Sequence, residues 1–185
     1  MSFDALLTTL VLALEAQEIP FMLTGSLASS YHGVPRATQD IDFVVDASLD
    51  RFLALSAALR DQGFYVSDDA IREAVTMRGM FNAVDPDTGW KVDFIVRKDR
   101  PFSLAEFADR QTTEFAGVRV GIARAEDVIV AKLEWSRFGG SGRQLRDVAG
   151  ILAAQGVTLD YGRIENWVES LGLETEWEEA RQTSP

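Results

Sequence analysis

Three aspartates lie on two short segments that are otherwise apolar and that we predict to be β-strands. Asp40 and Asp42 are two residues apart, and Asp93 is the only acid in the segment 92–96. Because side chains alternate across a strand, Asp40 and Asp42 point to one face. Aspartate is depleted in strands, so such a pair is usually offset by a cation or by solvent. The segments are therefore either strands with a solvated face or parts of a cation site.

A turn of small residues, Thr24-Gly25-Ser26, separates a short apolar strand at 21–23 from a helix predicted over 27–32. Gly25 allows tight backbone geometry, and we predict that Ser26 caps the helix. Amide groups at a helix start, beside a hydroxyl, suit a phosphate. A phosphate seat followed by paired carboxylates suggests metal-assisted phosphoryl or nucleotidyl transfer.

The order of these residues resembles the nucleotidyltransferase superfamily, which has the polymerase-β-like fold. The stretch GSLASSYHGVPRATQDID, from Gly25 to Asp42, is similar to the branch of stand-alone bacterial nucleotidyltransferases and abortive-infection toxin enzymes. Arg36 and Thr38 precede the aspartate pair in that pattern. The resemblance covers roughly residues 21–152.

The resemblance implies a metal site made of three carboxylates. Asp93 corresponds to the family's third carboxylate, on a strand beside the one that carries Asp40 and Asp42. Three converging carboxylates would repel one another without a cation. Their oxygens suit a hard ion, so the implied cofactor is Mg²⁺ or Mn²⁺. In this scheme Asp40 and Asp42 hold the metal, while Asp93 completes the site and accepts a proton from the acceptor.

The predicted nucleotide-binding residues are Gly25, Ser26, Arg36, Thr38, Lys132 and Arg143. Of these, Arg143 is a cation that could approach the carboxylates if the helices fold back over the sheet. A lysine on an apolar helix stripe, such as Lys132, more often extends to the surface. However, EDVIVAKLEW resembles the family helix whose lysine reaches the nucleotide phosphates. Arg143 lies one turn before Asp147 and can pair with it. Gly150 stands where the family often has a further acid.

Two features have ordinary structural explanations. The only histidine, His32, has no second histidine or cysteine beside it, which favours packing or a contact at the substrate edge over a ligand or base role. The run Gly139-Gly140-Ser141-Gly142 could cradle a phosphate. A flexible connector after a helix end is the commoner meaning of such a run.

The elements that must hold these residues predict an α/β (α+β) protein with the nucleotidyltransferase fold. It would have a mixed sheet of four to five strands, flanking helices and a C-terminal helical segment. The predicted strands are 21–23, 40–45, 80–84, 90–96 and 118–122, and a turn at 85–89 makes a hairpin. The predicted helices are 2–17, 27–32, 50–62, 68–75, 101–110, 126–138, 143–154 and 160–171.

The predicted domain organisation has three parts. Residues 1–122 form the nucleotidyltransferase core, and residues 123–173 form a helical segment packed on it. Residues 174–185 are an acidic tail that we expect to fray. The chain has 185 residues, enough to bury a real core.

Composition narrows the possible partners and location. The chain has no cysteine, which excludes disulfides and thiolate metal sites. The formal net charge of -11 disfavours a large, non-specific nucleic-acid surface. No apolar run is long enough to span a bilayer, and the N-terminal stretch lacks the pattern of a signal peptide. We therefore expect a cytoplasmic enzyme without membrane contact.

These observations predict a metal-dependent nucleotidyltransferase that moves a nucleoside monophosphate from ATP or another NTP to a hydroxyl acceptor. The acceptor could be a small molecule, a protein side chain or an RNA 3′ end. One alternative is the toxin nucleotidyltransferase of a toxin–antitoxin pair, acting on tRNA or protein. The other is a catalytically silent nucleotide-binding or assembly module.

Overall fold

A mixed β-sheet carries the predicted carboxylates. The structure is a computed structural model that describes residues 2–139 and 142–185. Its strands are β1 (Phe21–Thr24), β2 (Asp40–Val45), β3 (Tyr65–Val66), β4 (Met80–Val84), β5 (Lys91–Val96), β6 (Gln111–Phe115) and β7 (Val118–Ile122). Within the described residues they form one seven-stranded sheet in the order β3-β4-β5-β2-β1-β7-β6.

The helices agree closely with the sequence predictions up to Leu171. They are α1 (Phe3–Ala16), α2 (Gly25–His32), α3 (Leu49–Asp61), α4 (Asp68–Met77), α5 (Pro101–Ala108), α6 (Ala125–Gly139), α7 (Gly142–Gln155), α8 (Tyr161–Leu171) and α9 (Glu174–Gln182). The predicted α/β class is confirmed.

The contacts divide the chain into two compact units, each discontinuous in sequence. The sheet unit comprises Met1–Leu23 and Gln39–Ile122, and the helical unit comprises Thr24–Thr38 and Ala123–Pro185. The segment that begins with the Gly-Ser turn therefore belongs with the C-terminal helices. From the sequence alone, this segment is predicted to be part of the nucleotidyltransferase core, residues 1–122.

Strands β2 and β5 are parallel neighbours, and a row of aromatic side chains packs across them on one face of the sheet. Phe43 and Phe94 are paired in register, and their rings stack with centroids 6.1 Å apart. Phe81 on β4 continues the row, 5.0 Å from Phe94. All three side chains are buried. Because side chains alternate along a strand, this apolar anchor fixes which residues point to the opposite face.

The sheet has more strands than the four to five predicted, and β6 was missed altogether. Its sequence, Gln-Thr-Thr-Glu-Phe, lacks the apolar alternation that marks a half-buried strand. It forms an edge of the sheet and pairs with β7 alone. The hairpin turn between them places Ala116 and Gly117 at φ 50° and 76°, the left-handed values that a tight two-residue turn needs.

The helical unit is held by close approach between the end of α2 and helix α7. A Cβ added at Gly33 would lie 2.7 Å from the backbone nitrogen of Ile151. At Gly150 a Cβ would lie 3.4 Å from the side chain of Val34. Gly150 is thus a packing residue at the position where the family often carries an acid.

The prediction of a frayed tail beyond residue 174 is wrong. Helix α9 occupies Glu174–Gln182, and its Trp177 and Ala180 are buried. The many glutamates of this segment hid its apolar positions, which contact helices α6 and α7. The predicted glycine-rich connector includes Gly140 and Ser141, which lie outside the described residues.

In the part of the chain that the structure describes, no helix combines the length and the apolar character that crossing a membrane requires.

Candidate active site

The three predicted carboxylates lie on neighbouring strands of the sheet unit. Asp42 and Asp93 are directly paired between the parallel strands β2 and β5. Two residues earlier on the same strands, Asp40 is paired with Lys91. Asn82 on β4 is the partner of Asp93 on the other side. Phe43 and Phe94 follow Asp42 and Asp93 directly and point to the opposite face of the sheet. The polar residues therefore lie together on the face that does not carry the aromatic row.

Lys91 lies within this group, although the sequence analysis did not single it out. Its Nζ donates a hydrogen bond to Oδ2 of Asp93 at 2.8 Å. That bond, together with the negative charges of Asp93, Asp40 and Asp42, raises the pKa of Lys91 against the opposing effect of partial burial. The sequence does contain a feature that could have identified Lys91. It lies two residues before Asp93 on the same strand, so both side chains point to one face.

The carboxylates meet part of the requirement for the metal that the resemblance implies. Asp93 is buried, at 6 % exposure, and among the described residues its Oδ1 has no hydrogen-bond partner. An orphaned carboxylate oxygen beside a second carboxylate is a donor set that suits a hard cation. However, no group of three or more His, Cys, Asp or Glu side chains within residues 2–139 and 142–185 is close enough to hold a metal ion. The three-ligand site stays a prediction.

The Gly-Ser turn starts helix α2 in a different way from the one predicted. Gly25 is the first residue of α2 and has φ 62°, a left-handed value that glycine tolerates. The N-cap position is Thr24, so Ser26 is not the cap. Ser26 lies within the first turn of the helix, and its Oγ accepts a hydrogen bond of 2.6 Å from Nη2 of Arg36. The glycine prediction is confirmed and the cap prediction is wrong.

Arg36 and Lys132 converge on one carboxylate in the helical unit. Nε of Arg36 lies 2.9 Å from Oδ1 of Asp147, and its Nη2 lies 3.1 Å from Oδ2. Nζ of Lys132 lies 2.7 Å from the same Oδ2. The side chains of Lys132 and Asp147 are only 6 % and 7 % exposed. Lys132 therefore does not extend into solvent, and Asp147 fixes the position of its ammonium group.

Asp147 is the residue that orders this basic cluster. Burial opposes its ionisation, but hydrogen bonds from Arg36 and Lys132 lower its pKa overall. It does not pair with Arg143, as the one-turn spacing suggested; Arg143 is exposed on α7. Thr38 is half-buried in the connection that precedes β2.

His32 is a packing residue. Its side chain is buried, and Nε2 lies 2.8 Å from the carbonyl oxygen of Ala123, to which it donates. Burial lowers the pKa of this imidazole below its ordinary value. The main-chain oxygen of His32 accepts a hydrogen bond from Gln155 at 2.9 Å.

The protein is similar in structure to several solved proteins. A solution structure of the antibiotic-resistance factor ANT(2'')-Ia matches with a TM-score of 0.60 and 16% identity, covering 97% of this chain and 96% of that one. A crystal structure of ANT(2'')-Ia in complex with adenylyl-2''-tobramycin also gives 0.60 and 16%, with 91% and 98% covered. An antigenic nucleotidyltransferase-like protein from Paracoccidioides brasiliensis gives 0.54 and 16%, with 99% and 94% covered.

The chain has a nucleotidyltransferase fold. No protein-family model and no curated protein matches the sequence. At 16% identity the structural similarity establishes the fold and leaves the reaction to be argued from the residues.

On this nucleotidyltransferase fold the predicted site residues form two groups, one in each unit. Asp40, Asp42 and Asp93 share a face of the sheet unit and are joined by Lys91. Ser26, Arg36 and Lys132 are linked in the helical unit, together with Asp147. Gly25 adjoins the second group along the chain.

Proposed function

We propose that the chain is a metal-dependent nucleotidyltransferase that transfers a nucleoside monophosphate from an NTP to a hydroxyl acceptor and releases pyrophosphate. The observation that carries this proposal is the pairing of Asp42 with Asp93 on parallel strands, where Oδ1 of Asp93 is buried and has no hydrogen-bond partner in the described part of the chain. A buried carboxylate oxygen costs free energy unless something binds it, which favours a ligand at this point.

The carboxylates would hold the metal and prepare the acceptor. Asp40, Asp42 and Asp93 supply the oxygen donors that Mg²⁺ or Mn²⁺ prefers. A bound ion would stabilise the negative charge that develops on the phosphate oxygens during transfer. The acceptor oxygen would attack the α-phosphorus, its proton would pass to Asp93, and the bond to the β-phosphate would break.

The basic cluster of the helical unit would bind the triphosphate. Arg36 and Lys132 meet at Asp147, so two positive side chains lie close together and can contribute charge-assisted contacts to phosphate oxygens. Ser26 adds a hydroxyl that is already oriented by Arg36. Gly25, Thr38 and Arg143 are the further residues predicted from the sequence to bind the nucleotide.

A small molecule with a reactive hydroxyl is the acceptor class that we favour, with ATP as the donor. ANT(2'')-Ia, which shares the fold, has been solved with adenylyl-2''-tobramycin. A net charge of -11 makes tight binding of long RNA through phosphate contacts unfavourable.

The decisive experiment follows the label from α-³²P NTPs in the presence of Mg²⁺ or Mn²⁺. Each of ATP, GTP, CTP and UTP is incubated with small-molecule, protein and RNA fractions. We expect labelled product that disappears in Asp42→Asn and persists in Asp61→Asn, a matched change at an exposed position at the end of α3. Label on tRNA or protein would favour the toxin alternative. If no NTP is transferred and calorimetry detects no metal-dependent binding, the silent module replaces our proposal.

A further inference from the structure

Lys91 places a positive charge inside the carboxylate group. It is paired in register with Asp40 and hydrogen-bonds to Oδ2 of Asp93 at 2.8 Å. Asp93 is two residues away on the same strand, and Asp42 is its partner on the next. A cation thus already contacts one of the three predicted metal ligands.

We propose that Lys91 is the resident cation of the Asp40–Asp42–Asp93 cluster and competes with a divalent metal ion for it. This inference rests on the metal site in the proposed function and adds a residue that regulates its occupancy. In the absence of metal, the ammonium group of Lys91 would neutralise part of the negative charge of the three carboxylates. A divalent ion would then have to displace this ammonium group or bind against its repulsion.

The two oxygens of Asp93 show how the competition works. Lys91 contacts Oδ2, while Oδ1 is buried and without a hydrogen-bond partner among the described residues. A metal that used both oxygens would displace the ammonium. A metal on Oδ1 alone would lie near a positive charge that repels it. Either arrangement lowers metal affinity, because even at the dielectric constant of water an ammonium about 4 Å from a divalent ion weakens its binding by at least about tenfold.

The exposure of Lys91 separates this role from a purely structural one. Its side chain is 41 % exposed, whereas that of Asp93 is 8 % exposed. A pair with one partner so open to solvent contributes little to folding stability. Lys91 can therefore be replaced without removing a buried part of the core, and metal affinity becomes the informative measurement.

The test measures Mn²⁺ binding to the full chain by loss of the electron paramagnetic resonance signal of the unbound ion. The variants are Lys91→Gln, which removes the charge, and Lys91→Arg, which retains it. Lys98→Gln makes the same chemical change at an exposed site beyond the other end of β5, roughly 20 Å away at the usual rise of a strand. A double variant, Lys91→Gln with Asp42→Asn, checks that any gain arises at the cluster.

We expect Lys91→Gln to bind Mn²⁺ at least about tenfold more tightly than the wild type. Lys91→Arg and Lys98→Gln should bind like the wild type, and the double variant should lose the gain. Equal or weaker binding by Lys91→Gln would overturn the competition while leaving the proposed function in place. Absence of Mn²⁺ binding in every variant would overturn both the competition and the metal-dependent reaction.

Discussion

Nζ of Lys132 lies 2.7 Å from Oδ2 of Asp147, and both side chains are nearly inaccessible to solvent. Arg36 contacts the same carboxylate with two nitrogens. Asp147 is therefore an anionic partner that one buried and one partly buried cation share in the helical unit.

Removing that charge should destabilise the protein. In Asp147→Asn, Lys132 keeps a buried positive charge without its anionic partner, and breaking a buried pair in this way costs about 3 kcal/mol or more. Urea denaturation monitored by circular dichroism measures the loss. The matched control is Asp68→Asn, which breaks the largely exposed pair with Arg60 and should have a much smaller effect. Equal losses in the two variants would contradict the assigned role of Asp147.

Stability should fall as the pH is lowered below the ordinary histidine value of 6.5, because burial lowers the pKa of His32 in the folded state. The unfolded chain then takes up a proton that the folded chain resists, so the stabilisation present above pH 6.5 is progressively lost. The slope cannot exceed about 1.4 kcal/mol per pH unit for one group. Denaturation midpoints between pH 7.5 and 5.5 measure it.

The variant His32→Gln isolates this contribution, because His32 is the only histidine in the chain. Its stability should depend less on pH over the same interval than that of the wild type. If the wild type and the variant have parallel profiles, His32 is not the group responsible.

The close approach at Gly33 should not tolerate a side chain. In Gly33→Ala the new Cβ would meet backbone atoms of Gly150 and Ile151 at 2.9 and 2.7 Å, and overpacking of this kind costs about 2 kcal/mol. The control is Gly79→Ala, where the nearest atom is 3.9 Å from the new Cβ. That variant should change stability by less than about 1 kcal/mol. Thermal and urea melts that rank the two alike would refute this packing argument.

Metal should stabilise the wild-type protein and not Asp42→Asn. A ligand that binds only the native state raises apparent stability, and Asp42 is one of the proposed ligands. Without metal, Asp42→Asn should fold normally, since it removes one of several clustered negative charges. A thermal melt with and without Mn²⁺ measures the shift. An unchanged metal response in the variant would exclude Asp42 from the site.

Nucleotide binding should weaken to different degrees in two variants of the helical unit. Ser26→Ala removes one hydroxyl and should cost on the order of 1 kcal/mol. Arg143→Ala removes an exposed charge on α7, so it should impair turnover without lowering the melting temperature. Calorimetry with ATP and a transfer assay separate the two effects. If Arg143→Ala keeps the wild-type ATP affinity and turnover, the assignment of Arg143 to nucleotide binding is wrong.

The sequence was most informative where the chain repeats a local pattern. Alternation identified the shared face of Asp40 and Asp42, and turn chemistry identified the hairpin before Asp93. The sequence could not show that Arg36 and Lys132 meet at Asp147, because an ion pair between distant residues produces no periodic pattern of residue types. It also missed β6, where an edge strand needs few apolar residues, and α9, where two buried positions are hidden among glutamates.

The discontinuous helical unit has a consequence for synthesis. Arg36 and its partner Asp147 are separated by 111 positions, and the larger segment of the sheet unit is encoded between them. At a translation rate of roughly 5–20 residues per second, the helices on which α2 packs are completed on the order of ten seconds after α2 itself. During that interval the nascent chain can pair all its strands while α2 exposes its apolar face to chaperones. If synthesis ended just before α6, the chain would contain all the strands of the sheet but neither of the two helices on which α2 packs.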